Sequence, residues 1–419
     1  MHQSICVCGR AGARLAWRPA GLLLLLASVS GCLPAQALMG GLGRGPSVVL
    51  FSNDRAVLEA GDPRKDLPCT LTHEKPVLGF DLKFHASFDV SVPLNELSGT
   101  ENMLTIVFRV IPEAEKDEPR YFTQKIRVPS IADDAKGEAF LEGGFELGEG
   151  KYHIDWLIRD RSERVCSAYW DVEAALSSKD KQITMMLGPN AVQASEFEQF
   201  REEPPVERNP DSPLSVKMLV NFAPQNARSA ALQPIDISAL VSILRTIARD
   251  PRIGKFSLVA FNMQDQKVLY RQEDSDKIDF PSIGKALGAL KLGTVDLGKL
   301  AKKHSDTEFL AGLMREELKV DRPPDALIFA GPKAMLDENV SQDALREVGE
   351  IHYPIFYMNY NLSPQQVPWR DSISHAIKHF RGTEYTISRP RDLWYAVSEM
   401  VSRVAKSRPT RRAQVQGVQ

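Results

Sequence analysis

The chain has 419 residues, enough for two or three domains of ordinary size. Hydrophobic residues make up 43% and charged residues 25% of it, which is the usual composition of a globular protein. The formal net charge of −2 gives no overall attraction to nucleic acid, so we expect no nucleic acid among its partners.

The N-terminal segment has the composition of a secretory signal peptide. Residues 1–53 contain no Asp or Glu, and a leucine-rich run at 21–32 follows several arginines. A basic segment, a short apolar run and small residues before a cleavage site are typical of such a peptide, here residues 1–37. The run is too short to span a bilayer comfortably. The sequence therefore predicts an exported protein, which is periplasmic, an outer-membrane lipoprotein or secreted.

Two cleavage sites compete in this segment. Residues 29–32, Val-Ser-Gly-Cys, resemble the lipobox of bacterial lipoproteins, whose cysteine is acylated, so Cys32 is a candidate lipidation site and the one membrane anchor we expect. Residues 35–37, Ala-Gln-Ala, fit the small-x-small pattern of ordinary signal peptidase. An acid-free organelle transit peptide is a further alternative, although the leucine run is uninterrupted rather than amphipathic.

Five cysteines are present, and three of them fall within the leader or at its end. Cys69 and Cys166 remain in the folded part. In an oxidising, exported environment two remaining cysteines suggest one disulfide. The alternative is two separate buried thiols.

Residues 46–176 predict an all-β domain. Apolar and polar residues alternate at 77–92 with the period of a half-buried strand. Further β segments separated by turns favour an antiparallel sandwich; they lie at 104–111, 121–128, 150–159 and 165–172. The turn and strand that begin with Gly148 and Tyr152 resemble those of immunoglobulin or fibronectin type III domains, where the Tyr packs across the sheet corner. The alternative is any other small β-sandwich, which would predict the same function, namely adhesion or spacing rather than catalysis.

Residues 177–213 are rich in Glu and Pro and poor in large apolar residues, which predicts a solvated linker between domains. Residues 406–419 are basic and predict a disordered tail.

Between the linker and the tail, at 214–405, strand and helix patterns alternate. Asp236 is a candidate N-cap for the first helix. We expect strands at 215–221, 256–261, 267–271, 325–330, 352–360 and 383–387, and helices at 236–249, 283–290, 297–318, 342–348, 370–380 and 390–405. Such alternation implies a parallel sheet covered by helices on both faces.

This order of elements resembles a von Willebrand factor A domain, and residues 382–401, GTEYTISRPRDLWYAVSEMV, are similar to the last strand and helix of that family. The whole chain resembles exported bacterial proteins described as von Willebrand factor A related. The predicted fold class is therefore multidomain: an N-terminal all-β Ig-like sandwich followed by an α/β doubly wound, von Willebrand A or Rossmann-like, domain.

The resemblance also implies the position of a metal site. In the family an Asp-x-Ser-x-Ser loop, a Thr and a further Asp hold Mg²⁺ or Mn²⁺ through oxygen atoms. Asn221, Ala223 and Gln225 stand at the loop positions, Thr294 matches the Thr, and Ala330 stands where the second Asp is expected. Both carboxylates are missing, so we expect a degenerate site with no metal or cofactor, in which Asn221 remains as a capping residue. The alternative is ligation through the Asn and Gln carbonyl oxygens.

No enzyme motif is recognised in the sequence. His375 and His379 have the spacing of metal ligands on one helical face, but the Glu that a zincin needs at Ala376 is absent. Neither a Gly-x-Ser-x-Gly elbow nor a phosphate loop occurs. We therefore do not expect an enzyme.

Three functional hypotheses remain. The first is an extracytoplasmic protein-binding or scaffolding protein with protein partners in the cell envelope or the extracellular space. Its partner-binding candidates are Asn221, Gln225, Asn226, Thr294 and Lys333. The second is an enzyme or zinc-binding protein with a site near His375 and His379, and the third is a purely structural component of the cell envelope.

Overall fold

The computed structural model describes residues 37–39, 50–100, 102–195, 198–209, 213–226, 229, 231–290, 304–319, 322–336, 338–362 and 370–416. The chain divides into two units, Met1–Phe197 and Glu198–Gln419. The predicted lipidation site at Cys32 and nearly all of the predicted signal peptide lie outside the described residues, as does Thr294. Among the described residues, no helix combines the length and the apolar character needed to cross a membrane.

The first unit consists of two antiparallel sheets and one helix. Its elements are β1 Ala37–Met39, α1 Ser52–Ala60, β2 Thr70–His73, β3 Val77–Leu78, β4 Phe84–Pro93, a 3₁₀ turn Leu94–Leu97, β5 Met103–Pro112, β6 Arg120–Arg127, β7 Glu138–Leu147, β8 Gly150–Arg159, β9 Val165–Ala174 and β10 Val192–Ala194. One sheet has the order β1-β6-β5-β8-β9, and the other has the order β10-β7-β4-β2 with β3 paired to β4.

The two sheets of this unit pack face to face around an aromatic core. Side chains of β4 alternate between buried and exposed, because successive residues of a strand point to opposite faces. Phe88 of β4 meets Phe108 of β5 and Trp156 of β8 edge to face, with ring centroids 5.5 and 5.7 Å apart. Edge-to-face contacts of this kind add to the stabilisation that burial of the rings provides.

The edge strands β2 and β9 belong to different sheets, and a disulfide and a ring stack connect the two edges. A disulfide links Cys69 to Cys166. The His73 ring of β2 stacks on Trp170 of β9 with centroids 5.1 Å apart. Both contacts close this edge of the sandwich.

The second unit is built on one six-stranded sheet. Its elements are β11 Leu214–Asn221, α2 Pro234–Ala248, β12 Ile253–Asn262, β13 Lys267–Ser275, α3 Phe280–Gly288, α4 Ser305–Leu318, β14 Ala326–Pro332, α5 Gln342–Val348, β15 Ile355–Tyr360, α6 Ser372–His379, β16 Thr383–Ile387 and α7 Pro390–Gln416. The strand order is β13-β12-β11-β14-β15-β16, and only the β12–β13 pair is antiparallel. The carboxyl ends of β11, β14 and β15 are therefore neighbours.

The predicted fold class, an Ig-like sandwich followed by a doubly wound von Willebrand A-like domain, is wrong for this chain. Among the described residues, strand residues outnumber helix residues, 35% against 26%, and they form three sheets. The third sheet is mixed rather than parallel, because β12 and β13 form an antiparallel hairpin along one of its edges.

The stretch predicted to be a solvated linker is packed against both units in turn. Its first part includes β10, which pairs with β7 of the sandwich. In its last part Glu203 forms ion pairs with Arg245 Nε at 2.7 Å and Arg249 Nε at 2.6 Å on α2. Composition alone mispredicted this segment, because Glu203 has its Arg partners on a helix that follows about 40 residues later in the sequence.

The ends of two helices differ from the prediction. The N-cap of α2 is Gln233, and the predicted cap Asp236 is the third helical residue, where its side chain completes a capping box. Helix α7 continues to Gln416, into the segment predicted as a disordered tail.

The disulfide gives a testable expectation for stability. Cys69 and Cys166 are 97 residues apart, and a cross-link over a long loop restricts the unfolded chain strongly. We expect the double variant Cys69→Ala/Cys166→Ala to lower the free energy of unfolding of the first unit by about 2–5 kcal/mol. Guanidinium denaturation followed by tryptophan fluorescence measures it. A difference below about 0.5 kcal/mol, within the range of ordinary surface substitutions, would contradict this expectation.

Candidate functional site

Asn221, the last residue of β11, lies beneath the surface at the carboxyl edge of the third sheet. Its side chain is 1% exposed, and Oδ1 accepts a hydrogen bond from the Met263 backbone N–H at 3.0 Å. It therefore holds the turn after β12 and does not cap a helix. Its Nδ2 is buried and has no acceptor among the described residues. Gly331 of β14 adopts φ 155°, and a Cβ there would lie 2.7 Å from Asn221 Cβ, so this close approach requires glycine.

Asp236 joins three elements behind this edge. Its Oδ2 accepts from the Gln233 backbone N–H at 3.2 Å, which begins α2. Its Oδ1 lies 3.3 Å from the Tyr360 hydroxyl at the end of β15 and 3.4 Å from the Gln225 backbone nitrogen. Burial, and then the neighbouring Asp236 carboxylate, raise the pKa of Tyr360 well above its ordinary value. Tyr360 therefore stays a neutral donor.

Gln225 fixes the loop that follows β15. Its Oε1 accepts from the Leu362 backbone N–H at 2.8 Å, and its Nε2 lies 3.4 Å from Asn361 Oδ1. The next residue, Asn226, is exposed. The loops after β11 and β15 are thus held together by one side chain, and Asn226 faces solvent from this junction.

Asp371 holds the loop after β14 in a similar way. Its Oδ1 accepts from the backbone N–H groups of Ala334 and Ile373, both at 3.1 Å, so it caps α6 and fixes the loop at once. On either side of Ala334, Lys333 is half-buried and the Met335 side chain is 51% exposed.

The second oxygen of Asp371 has a different environment. Oδ2 is buried, and the Tyr357 hydroxyl beside this carboxylate donates to the Pro332 carbonyl at 3.1 Å. Burial raises the pKa of Asp371 to about 6, although the N–H groups of Ala334 and Ser374 oppose the rise.

The residues predicted as degenerate ligand positions are only partly brought together. Asn221 ends β11, Ala223 follows two residues later, and Ala330 lies beside Val220 in the neighbouring strand β14. The side-chain oxygens of Asn221 and Gln225 already accept backbone hydrogen bonds, and Ala330 is a buried apolar residue. Ala223 contributes its backbone carbonyl, which accepts from the Tyr360 hydroxyl at 3.2 Å.

Within the part of the chain that the structure describes, no third His, Cys, Asp or Glu side chain lies close enough to share an ion with His375 and His379. His379 Nδ1 lies 2.9 Å from Gln342 Oε1, and its ring packs edge to face on Phe380. Among the described residues, the group of His, Cys, Asp or Glu side chains close enough to share an ion is instead Asp81, His85 and Glu146, in the first unit.

Comparisons with known proteins do not establish a family. No protein-family model and no curated protein matches the chain. A solved structure of the PilB minor pilin from Streptococcus sanguinis is 9% identical, with 71% of this chain and 87% of the pilin covered at a TM-score of 0.26. A glycosyl hydrolase family 2 member from Bacteroides cellulosilyticus is 8% identical, with 74% of this chain and 37% of the hydrolase covered at a TM-score of 0.18. Scores this low carry no argument about function.

The assignment to the von Willebrand factor A family gains no support from these comparisons, and the β-rich architecture contradicts it. The interpretation of Asn221, Ala223, Gln225 and Ala330 as the degenerate adhesion site of that family therefore loses its basis.

Sequence reasoning missed the residues that organise this edge. Asp371 directly precedes an apolar helical pattern, so the local sequence was sufficient to predict that it is an N-cap. The distant partners of Asp236 and Gln225, Tyr360 and Leu362, lie more than 120 residues away, and no short motif connects them.

The raised pKa of Asp371 gives a pH-dependent prediction. Between about pH 4 and pH 6 the folded state keeps a proton that the unfolded chain has lost, so this group makes the protein less stable as the pH rises. Asp371→Asn keeps the oxygen acceptor and removes the charge. We expect the free energy of unfolding of the variant, relative to that of wild type, to increase by up to about 3 kcal/mol between pH 4 and pH 7. Urea unfolding at each pH measures this difference.

Asp279, the N-cap of α3, is the matched control. The Ser282 hydroxyl and backbone N–H hold the pKa of Asp279 below its ordinary value, so its stabilising effect is present above the unfolded pKa and is lost in acid. Asp279→Asn should therefore lose stability relative to wild type as the pH rises. A pH-independent difference for Asp371→Asn would contradict the burial of an ionisable carboxylate there.

Proposed function

We propose that this chain is an extracytoplasmic protein-binding or scaffolding protein. It contacts its partner through the carboxyl-end surface, defined as Gln225, Asn226, Lys333 and Met335. Asn221 lies below this surface and supports it, so we assign it no direct contact.

The fixed position of these loops is the observation that carries the proposal. Three backbone amides, those of Met263, Leu362 and Ala334, donate to side-chain oxygens of Asn221, Gln225 and Asp371 at 2.8–3.1 Å. Loops that are ordered before binding lose less conformational entropy when a partner arrives. Binding residues in proteins are commonly carried on loops that a rigid scaffold positions in this way.

The chemistry of the exposed side chains also suits a protein partner. Met335 presents 51% of its surface to solvent, with the polar residues Asn226 and Lys333 on the neighbouring loop positions. Methionine is enriched in protein interfaces, where a small apolar centre is commonly bordered by polar groups.

The disulfide of the first unit supports the proposed export. A disulfide between Cys69 and Cys166 forms and persists in oxidising compartments and is rare in the cytosol. The acid-free, leucine-rich N-terminal segment is consistent with this route.

Site-specific photo-crosslinking tests the proposal. A photoreactive phenylalanine analogue replaces Met335 in the full-length protein, which is irradiated in the cells that produce it. We expect a discrete crosslinked species that Asn226→Arg, placed on the same surface, weakens at least about tenfold because it disturbs a packed interface.

Phe140 provides the matched control position. It is also a large exposed hydrophobic residue, 58% exposed, but it belongs to β7 of the first unit. No crosslinked species at either position, or the same species at both, would argue for a purely structural envelope component and against this surface.

A further inference from the structure

A tight turn brings a second set of polar side chains together in the first unit. The Gly79 backbone N–H donates to the Lys83 carbonyl at 2.9 Å, and the Leu82 N–H donates to the Gly79 carbonyl at 3.0 Å. This turn precedes β4 and carries Asp81 and Lys83 back towards His85, the second residue of that strand.

Strand pairing supplies the remaining groups. His85 of β4 lies directly opposite Glu146 of β7, and Glu146 lies opposite Gln193 of β10. Residues directly opposite in antiparallel pairs share a face of the sheet. His85, Glu146 and Gln193 therefore form one row beside the turn.

The geometry of this cluster suits a metal ion. One ligand atom from each of Asp81, His85 and Glu146 lies within 4.8 Å of the others. His85 Nε2 is 2.8 Å from Asp81 Oδ1. A tetrahedral zinc ion with bonds of about 2.0–2.2 Å needs ligand atoms about 3.4 Å apart, so small side-chain rotations are enough.

Gly79 leaves the space that these two ligands occupy. A Cβ at this position would lie 2.5 Å from His85 Nε2 and 2.6 Å from Asp81 Oδ1. Any larger residue would displace the imidazole or the carboxylate, so the absence of a side chain here keeps the ligand atoms in place.

Lys83 already places a cation in the cluster. Its Nζ lies 2.6 Å from Glu146 Oε2 and 3.4 Å from Gln193 Oε1. Glu146 is only 1% exposed, and a buried carboxylate is strongly unfavourable without an opposite charge or hydrogen-bond donors. Gln193 offers the ammonium a second acceptor when the carboxylate binds another ion. The His85 side chain, 44% exposed, leaves the cluster open to solvent.

We propose that Asp81, His85 and Glu146 form a zinc-binding site in which Lys83 is the competing cation. His85 coordinates through Nε2 as a neutral imidazole, the two carboxylates coordinate through oxygen, and water takes the open fourth position. Zinc suits this set because it accepts nitrogen and oxygen ligands together, whereas Mg²⁺ and Ca²⁺ prefer oxygen alone. The two carboxylates balance the charge of the ion.

Calorimetric titration of the full-length protein with zinc chloride tests the site. We expect one zinc equivalent whose affinity falls at least about tenfold in His85→Ala, because a direct ligand is lost. Asp81→Asn should weaken binding similarly. Lys83→Met should tighten it about tenfold or more, because a positive charge close to the ion is removed.

His153 is the matched control. It also lies between two carboxylates, with Nδ1 2.7 Å from Asp171 Oδ1 and Nε2 3.1 Å from Asp155 Oδ1. The carboxylates contact opposite nitrogens of the ring, so one ion does not reach all three groups. His153→Ala should therefore leave zinc binding unchanged.

Three outcomes overturn the proposal. They are no zinc binding by the wild-type protein, zinc binding that His85→Ala leaves intact, and equal losses in His85→Ala and His153→Ala. Circular dichroism of each variant confirms that the sandwich is folded.

Discussion

Burial of Asp236 is the constraint on which the organisation of the second unit depends. The residue is 4% exposed, and a carboxylate without partners in such a place would be strongly unfavourable. Its partners come from the start of α2, from the loop after β11 and from Tyr360 at the end of β15. Satisfying one buried charge thus fixes three elements, and with them the backbone beneath the carboxyl-end surface.

The same rule governs the first unit, where a buried carboxylate also determines local structure. Glu146 lies on the sheet next to Gln193, and the turn that begins at Gly79 brings the Lys83 ammonium to it. In the second unit the donors to Asp236 are uncharged hydrogen-bonding groups and the result is a fixed loop framework. In the first unit the partner is the Lys83 ammonium, which we propose that a metal ion replaces. The two proposals therefore assign different chemistry to the two units, a protein-contact surface to one and an ion site to the other.

Local sequence patterns predicted those features of the structure that depend on a single strand or helix. The alternation at 77–92 predicted β4, and Tyr152 is buried as its resemblance implied, with its hydroxyl bonded to the Gly148 carbonyl at 2.9 Å. Contacts between distant segments were not predictable in this way. His85 and Glu146 become neighbours only through the register of β4 and β7. Glu203 was wrongly assigned to a solvated linker, because the sequence near it does not show that its Arg partners lie on α2. The von Willebrand A-like prediction failed because it treated an order of elements as a fold, whereas the described residues contain more strand than helix and form three sheets.

Side-chain oxygens of Asn221, Gln225 and Asp371 hold the carboxyl-end loops in place without any partner. Native-state hydrogen exchange of the Met263, Leu362 and Ala334 backbone amides tests this arrangement most directly, since each donates to a side-chain oxygen rather than to another strand. We predict protection of these three amides close to that of the β11 amides in the same unit, because opening each amide breaks its hydrogen bond to a side-chain oxygen of Asn221, Gln225 or Asp371. Exchange at the rate of an unstructured loop would contradict the account, since the loops would then be free to rearrange.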